Sequence, residues 1–441
     1  MNKVLLLIFV FLTLFVSLSF SKEYTLQDLL KLAEKKNKDI QLAQADLKFA
    51  SARKIEAWST ALPKINVEMN YNRNFLENFF YVNVTDSLGR QRTTKFVVSF
   101  NNEFQLNAVL SQTIFGFGKI GNAIKAANYF DRFTRYQFSS QWQLVITRVK
   151  KAFYQALLLK KVWEVARQSE LNAEENYRNI KIKYESGAVS EFALLQAEVR
   201  WKNAIPETIK SRRDYQLALN NLKNLVGIPR DEEISLKGGL EIIPPTPRKS
   251  DVNKILESRP DFQSMQWEKK LREKRVAVEF SNYLPTLSGN LIYSYGARSN
   301  AFRLENDNDN FVLGLTLRIP IFSGGFTTAQ VQKARVDVER VKTRIAQLED
   351  NIRIDLQNIF LRLDEARQRI SAAQRSVDVA RRAFEIAESR AQNGLATQLE
   401  LKDSRVLLDQ AKLTYYSSIY DYLDAYFDWE LATGQVRIDE N

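Results

Sequence analysis

At 441 residues the chain is long enough for several compact domains, yet it holds no cysteine and no histidine. That excludes a disulfide framework, a thiol nucleophile and the side chain most used as general base and metal ligand. Its formal net charge is +12, from 64 Lys and Arg against 52 Asp and Glu, but the bases are spread among acids along helical patterns, so no nucleic-acid partner is expected. With no nucleophile–base set, phosphate loop or metal-spaced cluster, neither an enzyme nor a cofactor or metal site is expected.

In chain order, residues 1–21 come first. Lys3 precedes an apolar run from Val4 to Phe20, and Ser19 and Ser21 place small residues before Lys22. This reads as a secretory signal peptide; the run falls short of the roughly 20 apolar residues of a membrane anchor. No later segment is apolar enough for a transmembrane helix, so a membrane role has to come from strands.

The remainder is written twice. Gly187 aligns with Gly394, Ile114-Phe115 with Ile321-Phe322 and Gly227 with Gly434, all 207 residues apart. Leu62-Pro63 aligns with Leu284-Pro285, and Asp39 with Asp261, 222 residues apart. The extra 15 residues of the first copy therefore belong between Pro63 and Ile114. The expected division is a first repeat at 22–227, a linker at 228–250 rich in Pro and Gly, a second repeat at 251–434 and a tail at 435–441. Each repeat reads as helix, strand, loop, strand, long helix, tight turn, helix.

A helix of about 33 residues precedes each first strand. After Pro63, Ile65, Val67, Met69 and Tyr71 alternate with Lys64, Asn66, Glu68 and Asn70. A second strand is expected from about Lys95 to Thr113, with Phe96, Val98, Phe100, Phe104, Leu106, Ala108 and Leu110 on one side. The second copy alternates Leu287, Leu291, Tyr293, Tyr295 and then Phe311, Leu313, Leu315, Leu317, Ile319. Polar loops are expected at 72–94 and 298–310. Strands of ~10 residues with one apolar face and an Asn/Gln/Ser/Thr face suit a lipid-facing barrel with a wet lumen.

From Lys119 to about Ser186, and from Thr327 to about Gln392, helical periodicity runs with only Gly121 as an interruption. Each such helix would be on the order of 100 Å long. Val331, Ala334, Val338, Val341, Ile345 and Leu348 begin a coiled-coil seam in the second. Both helices turn at a glycine, Gly187 and Gly394. Ala188, Val189, Leu395 and Ala396 follow, and Ser190 and Thr397 are placed to cap the returning helices. The first returning helix contains Pro206, which is expected to kink it.

The residue beside the seam of the second returning helix gives a stripe: Glu400, Asp403, Leu407, Gln410, Thr414, Ser417, Asp421, Asp424 and Asp428. It has no basic member. Pairing of Glu400 and Asp403 with Arg390 or Arg405 is the alternative to a channel-facing role.

Taken together, the duplicated plan, the two Leu-Pro pairs, Ile319-Pro320-Ile321-Phe322-Ser323-Gly324-Gly325 and the Gly-centred tips resemble the TolC-type outer-membrane efflux family over the whole mature chain. The resemblance implies a mixed α and β membrane protein: four transmembrane strands per chain, a trimeric 12-stranded β-barrel and long helices forming a periplasmic α-barrel. It implies a homotrimer in outer-membrane lipid, docked by a periplasmic adaptor and an inner-membrane transporter, serving a tripartite efflux pump or type I secretion system. Gly187, Ala188, Val189, Ser190, Gly394, Leu395, Ala396 and Thr397 would be the adaptor-docking tips. Glu400 and Asp403 match the family's pore-constricting acids. The family's frequent Tyr–Arg–acid latch falls here on Ala391, Ala396 and Ala193, so that latch is absent. The other reading of the pattern is a secreted structural coiled coil with a β-sandwich head, which would need no detergent.

Overall fold

A computed structural model describes residues 22–438 apart from 86, 250 and 394. The expected signal peptide, Gly394 and residues 439–441 of the expected tail lie outside the described residues. The chain forms two compact units.

The first unit comprises the chain up to Asp46, Arg135–Ser264 and Ile345 onward. Helix α1 (Leu26–Lys36) is fixed at its start by a capping box in which Thr25 and Asp28 satisfy each other's backbone N–H. Helix α2 (Lys38–Ser59) follows after Asn37 alone. Long helix α3 (Lys119–Glu185) enters this unit at Arg135, turns, and returns as α4 (Glu191–Val226). Helix α4 continues through Pro206. Later come α5 (Val252–Ser258), α6 (Pro260–Phe280), the second long helix α7 (Phe326–Gln392) and the second returning helix α8 (Gln398–Ala432).

The expected 33-residue helices are thus each broken once, at Asn37 and at Arg259. Asn37 Oδ1 accepts from Asp39 and Ile40 N–H, while its Nδ2 donates to Leu225 O at the end of α4. Arg259 pairs with Asp261 and donates to Ala432 O at the end of α8. Each break lets one side chain close a helix end that would otherwise leave carbonyls unpaired.

Two apolar clusters hold the unit. One gathers Leu29, Leu30, Ile40, Ile146, Val149, Phe153, Leu222, Ile419 and Phe427; the other gathers Leu256, Ile352, Leu356, Leu363 and Tyr422. A two-stranded parallel sheet that sequence reading missed joins β1 (Lys22–Tyr24) to β6 (Ile234–Leu236). Three residues carry too little periodicity to be seen in advance.

The second unit, Leu47–Thr134 and Met265–Arg344, holds a four-stranded antiparallel sheet. Its order is β2 (Lys64–Arg73), β5 (Asn102–Phe115), β7 (Thr286–Ser299), β8 (Asn308–Arg318). A separate hairpin pairs β3 (Phe79–Thr85) with β4 (Gln91–Val97).

This corrects two expectations. The stretch 95–113 is not one strand, and 72–94 is not one loop. Asn74 N–H donates to Asn101 O and Asn74 Nδ2 to Phe100 O, while Val98 N–H donates to Asn78 O. These bonds divert the chain, so residues 91–97 pair with 79–85. The apolar alternation stays in phase from Phe96 to Leu110 and hides the break. In the second half, β7 reaches Ser299 and β8 starts at Asn308, so the loop shortens to 300–307.

Candidate functional site

Three places in the fold have chemistry to offer: the sheet faces, the helix tips and the acidic stripe of α8.

Antiparallel register fixes the faces of the sheet. Ile65, Leu110, Leu291 and Leu313 are cross-strand neighbours, and Val67, Ala108, Tyr293 and Phe311 form the next row. The face is continuous across all four strands, because a slip of one residue would turn every side chain over. It is uncovered: Ile65, Met69, Phe311 and Leu313 are each about two-thirds exposed or more, at 68%, 72%, 67% and 70%. Beneath them, Ile114 sits at a bulge in β5, with its Cδ1 3.1 Å from where a Cβ on Gly289 would stand. The opposite face is polar. Lys64, Ser111 and Asn290 make one row, and Glu68, Asn107, Ser294 and Asn310 another. Among the described residues β2 pairs only with β5 and β8 only with β7, so both outer edges of the sheet are unpaired.

At the first tip, Gly187 adopts φ +72 with nothing within 4 Å of a would-be Cβ, so the backbone angle and not space calls for glycine there. Ala188 N–H donates to Lys183 O at 2.8 Å, and Ser190 caps α4 by accepting from Ala193 N–H. The second tip has the same form on its described residues: Leu395 N–H donates to Arg390 O at 2.8 Å. These backbone bonds close the final carbonyls of both long helices. Ala188 is exposed, Val189 and Ala396 are half-buried, and Leu395 is 70% exposed.

Thr397 and Glu400 form a capping box: Glu400 N–H donates to Thr397 Oγ1 at 3.2 Å, and Thr397 N–H to Glu400 Oε2 at 3.3 Å. Glu400 is therefore tied to the helix start. Asp403 is exposed, and its carboxylate bonds to no described residue. Neither acid pairs with the two arginines weighed as partners. Arg390 donates to Leu395 O, and Arg405 lies 3.5 Å from Asp409 and 5.0 Å from the Phe384 ring centroid.

The other end of the stripe is different. Asp424 and Asp428 both meet Lys151, at 2.9 and 2.6 Å, and both meet Arg362, at 2.7 and 2.8 Å. Asp421 meets Arg369 at 3.1 Å. Burial and these three carboxylates push the neighbouring Tyr420 phenol up to about 12. Burial disfavours the charged Arg362, but the hydrogen bonds to Asp428 and Asp424 outweigh it and raise its pKa. The stripe thus has an end near the tip whose acids meet no cation among the described residues, and a neutralised end. Lys151, Arg362 and Arg369 were missed because they sit on α3 and α7, far away in sequence; no spacing along α8 announces them.

The sequence model of the outer membrane efflux protein family matches residues 29–228 and 252–435. The alkaline protease secretion protein AprF of Pseudomonas aeruginosa is 25% identical over 232 residues, 51% of this chain and 47% of AprF. Outer membrane protein TolC of Vibrio cholerae is 20% identical over 299 residues, 66% of this chain and 63% of TolC. The match thus spans less than two thirds of either relative. Among solved structures, the Campylobacter jejuni CmeC outer membrane channel superposes with a TM-score of 0.78 at 19% identity, covering 94% of this chain and 87% of CmeC. At that identity the likeness concerns the fold.

Proposed function

Because the chain belongs to the outer membrane efflux protein family, and is an outer-membrane protein, we propose that three copies close one duct that carries substrates from the periplasm to the exterior. The observation that carries this reading is the open sheet. An apolar face whose edge-strand residues stand about two-thirds exposed is unfavourable in water and favourable in lipid. Unpaired strand edges, in contrast, cannot face hydrocarbon, where each orphan backbone group costs several kcal/mol. Both conditions are met together when β8 of one copy pairs with β2 of the next and the sheet closes on itself. Three copies of four strands make 12, and the polar face then lines the lumen. Two copies would also reach the roughly eight strands of the smallest barrels; the family resemblance selects three.

In this reading residues 22–227 and 251–434 are two copies of one unit joined by the linker 228–250. The long helices form a periplasmic tube, and the tips at Gly187–Ser190 and Gly394–Thr397 receive a periplasmic adaptor, which couples the duct to an inner-membrane transporter of an efflux pump or type I secretion system. Three copies of Glu400 and Asp403 ring the periplasmic entrance. The role is conduction, not catalysis. Mass measurement in detergent tests the assembly: a trimer is expected, and a monomer or dimer would refute it.

A further inference from the structure

One row breaks the polar face of the sheet. Between the row of Lys64, Ser111 and Asn290 and the row of Glu68, Asn107 and Ser294 lie Asn66, Val109, Ile292 and Val312, cross-strand neighbours on β2, β5, β7 and β8. The register places Val109, Ile292 and Val312 opposite the face of Ile65 and Leu291, so they are not part of the lipid-facing set. They belong to neither apolar core cluster; Val109 and Ile292 are half-buried and Val312 is 42% exposed. Strand propensity accounts poorly for them. Two residues away on the same face the chain uses Asn107, Ser111, Asn290, Ser294, Asn310 and Gly314, mostly weak strand formers.

We propose that Val109, Ile292 and Val312 of each copy form an apolar belt inside the otherwise polar lumen, a contact site for the alkyl or aromatic part of an amphiphilic cargo. This rests on the barrel reading above. A cargo with an apolar part crosses a wholly polar, wet duct with that part hydrated. Three contiguous branched side chains across three strands remove some of that surface from water, at about fourfold in affinity per buried methylene. The hydroxyl and amide rows on either side hold the polar part. Contact limited to one row is weak enough to release the cargo onward, as conduction requires.

Symmetric tetraalkylammonium ions in planar bilayers are the probe, since they keep one charge while alkyl length changes. Block of the wild-type channel should strengthen about tenfold from tetramethylammonium to tetrapentylammonium. The triple variant Val109→Thr, Ile292→Thr, Val312→Thr keeps branching at Cβ and removes apolar surface; it should lose most of that length dependence. Equal length dependence in the variant overturns the belt. A separate variant checks the face itself: the chain has no cysteine of its own, so Asn107→Cys offers one thiol on the adjoining row. A charged methanethiosulfonate should react with it and lower conductance. If Asn107→Cys stays unmodified, the lumenal assignment of this face fails, and the belt with it. Modification together with unchanged length dependence in the triple variant refutes the belt alone.

Discussion

Lys150 is 1% exposed, its ammonium 2.8 Å from the Glu430 carboxylate and 5.5 Å from the Phe427 ring centroid. A charge so placed is tolerated only while it is paired. Lys150→Met, which fills the same space, removes the lysine cation from beside a nearly buried carboxylate and should destabilise the protein by about 3 kcal/mol. Adding Glu430→Leu should restore most of the loss, and thermal unfolding of both variants measures the coupling. Tyr420 offers a second check. Its phenol is held neutral up to about 12, so ultraviolet titration should show a late ionisation step, and Tyr420→Phe should remove it. Since the unfolded phenol ionises near 10, its proton is lost there while the folded form keeps it, and stability falls as pH rises from about 10 toward 12. Neither feature was legible beforehand. In sequence, Lys150 and Lys151 look like any two bases on a solvated helix, and their partners lie more than 270 residues away.

At the scale of elements, sequence reads length better than breaks. The long helices were visible because 67 residues of period near 3.6 leave no other assignment. The interruptions at Asn37 and Arg259 were not, because their cause is the end of another helix. Those ends share a second device. Gly227 sits at φ +73, where a Cβ would stand 2.7 Å from Lys36 Cβ; Gly434 sits at φ +70, where a Cβ would stand 2.8 Å from Ser258 O. Gly187 has the same backbone angle in open space. Gly187→Ala should therefore cost only the left-handed penalty, roughly 1–2 kcal/mol. Gly227→Ala and Gly434→Ala should cost distinctly more, because each also displaces its neighbour; denaturant unfolding of the three variants ranks them. Under the proposed function the tips also differ from those ends in purpose. Ala188→Glu with Leu395→Glu should abolish export while trimers still assemble, whereas normal export would leave the tips as plain turns.

For the whole molecule, the family was readable from the ordered recurrence of weak features, while the chemistry of the α8 stripe was readable only in part. As a linear pattern its five acids look alike. In the fold, Asp424 and Asp428 are neutralised by Lys151 and Arg362, Asp421 meets Arg369, and Asp403 meets no cation among the described residues. If three copies converge at the tip end, the acids there set ion preference and the paired ones do not. Converging carboxylates attract cations. The substitution has to respect the capping box, since removing the Glu400 side chain would also strip a backbone N–H of its partner. Glu400→Gln with Asp403→Asn keeps the cap and removes the charge. In planar bilayers this pair should abolish cation preference and block by multivalent cations, with trimers intact. Asp424→Asn should leave selectivity alone and act on stability instead, by freeing part of the charge of Lys151 and Arg362. Unchanged selectivity in the Glu400→Gln, Asp403→Asn channel would rule out the ring; a selectivity change in Asp424→Asn would move the filter to the other end of the helix.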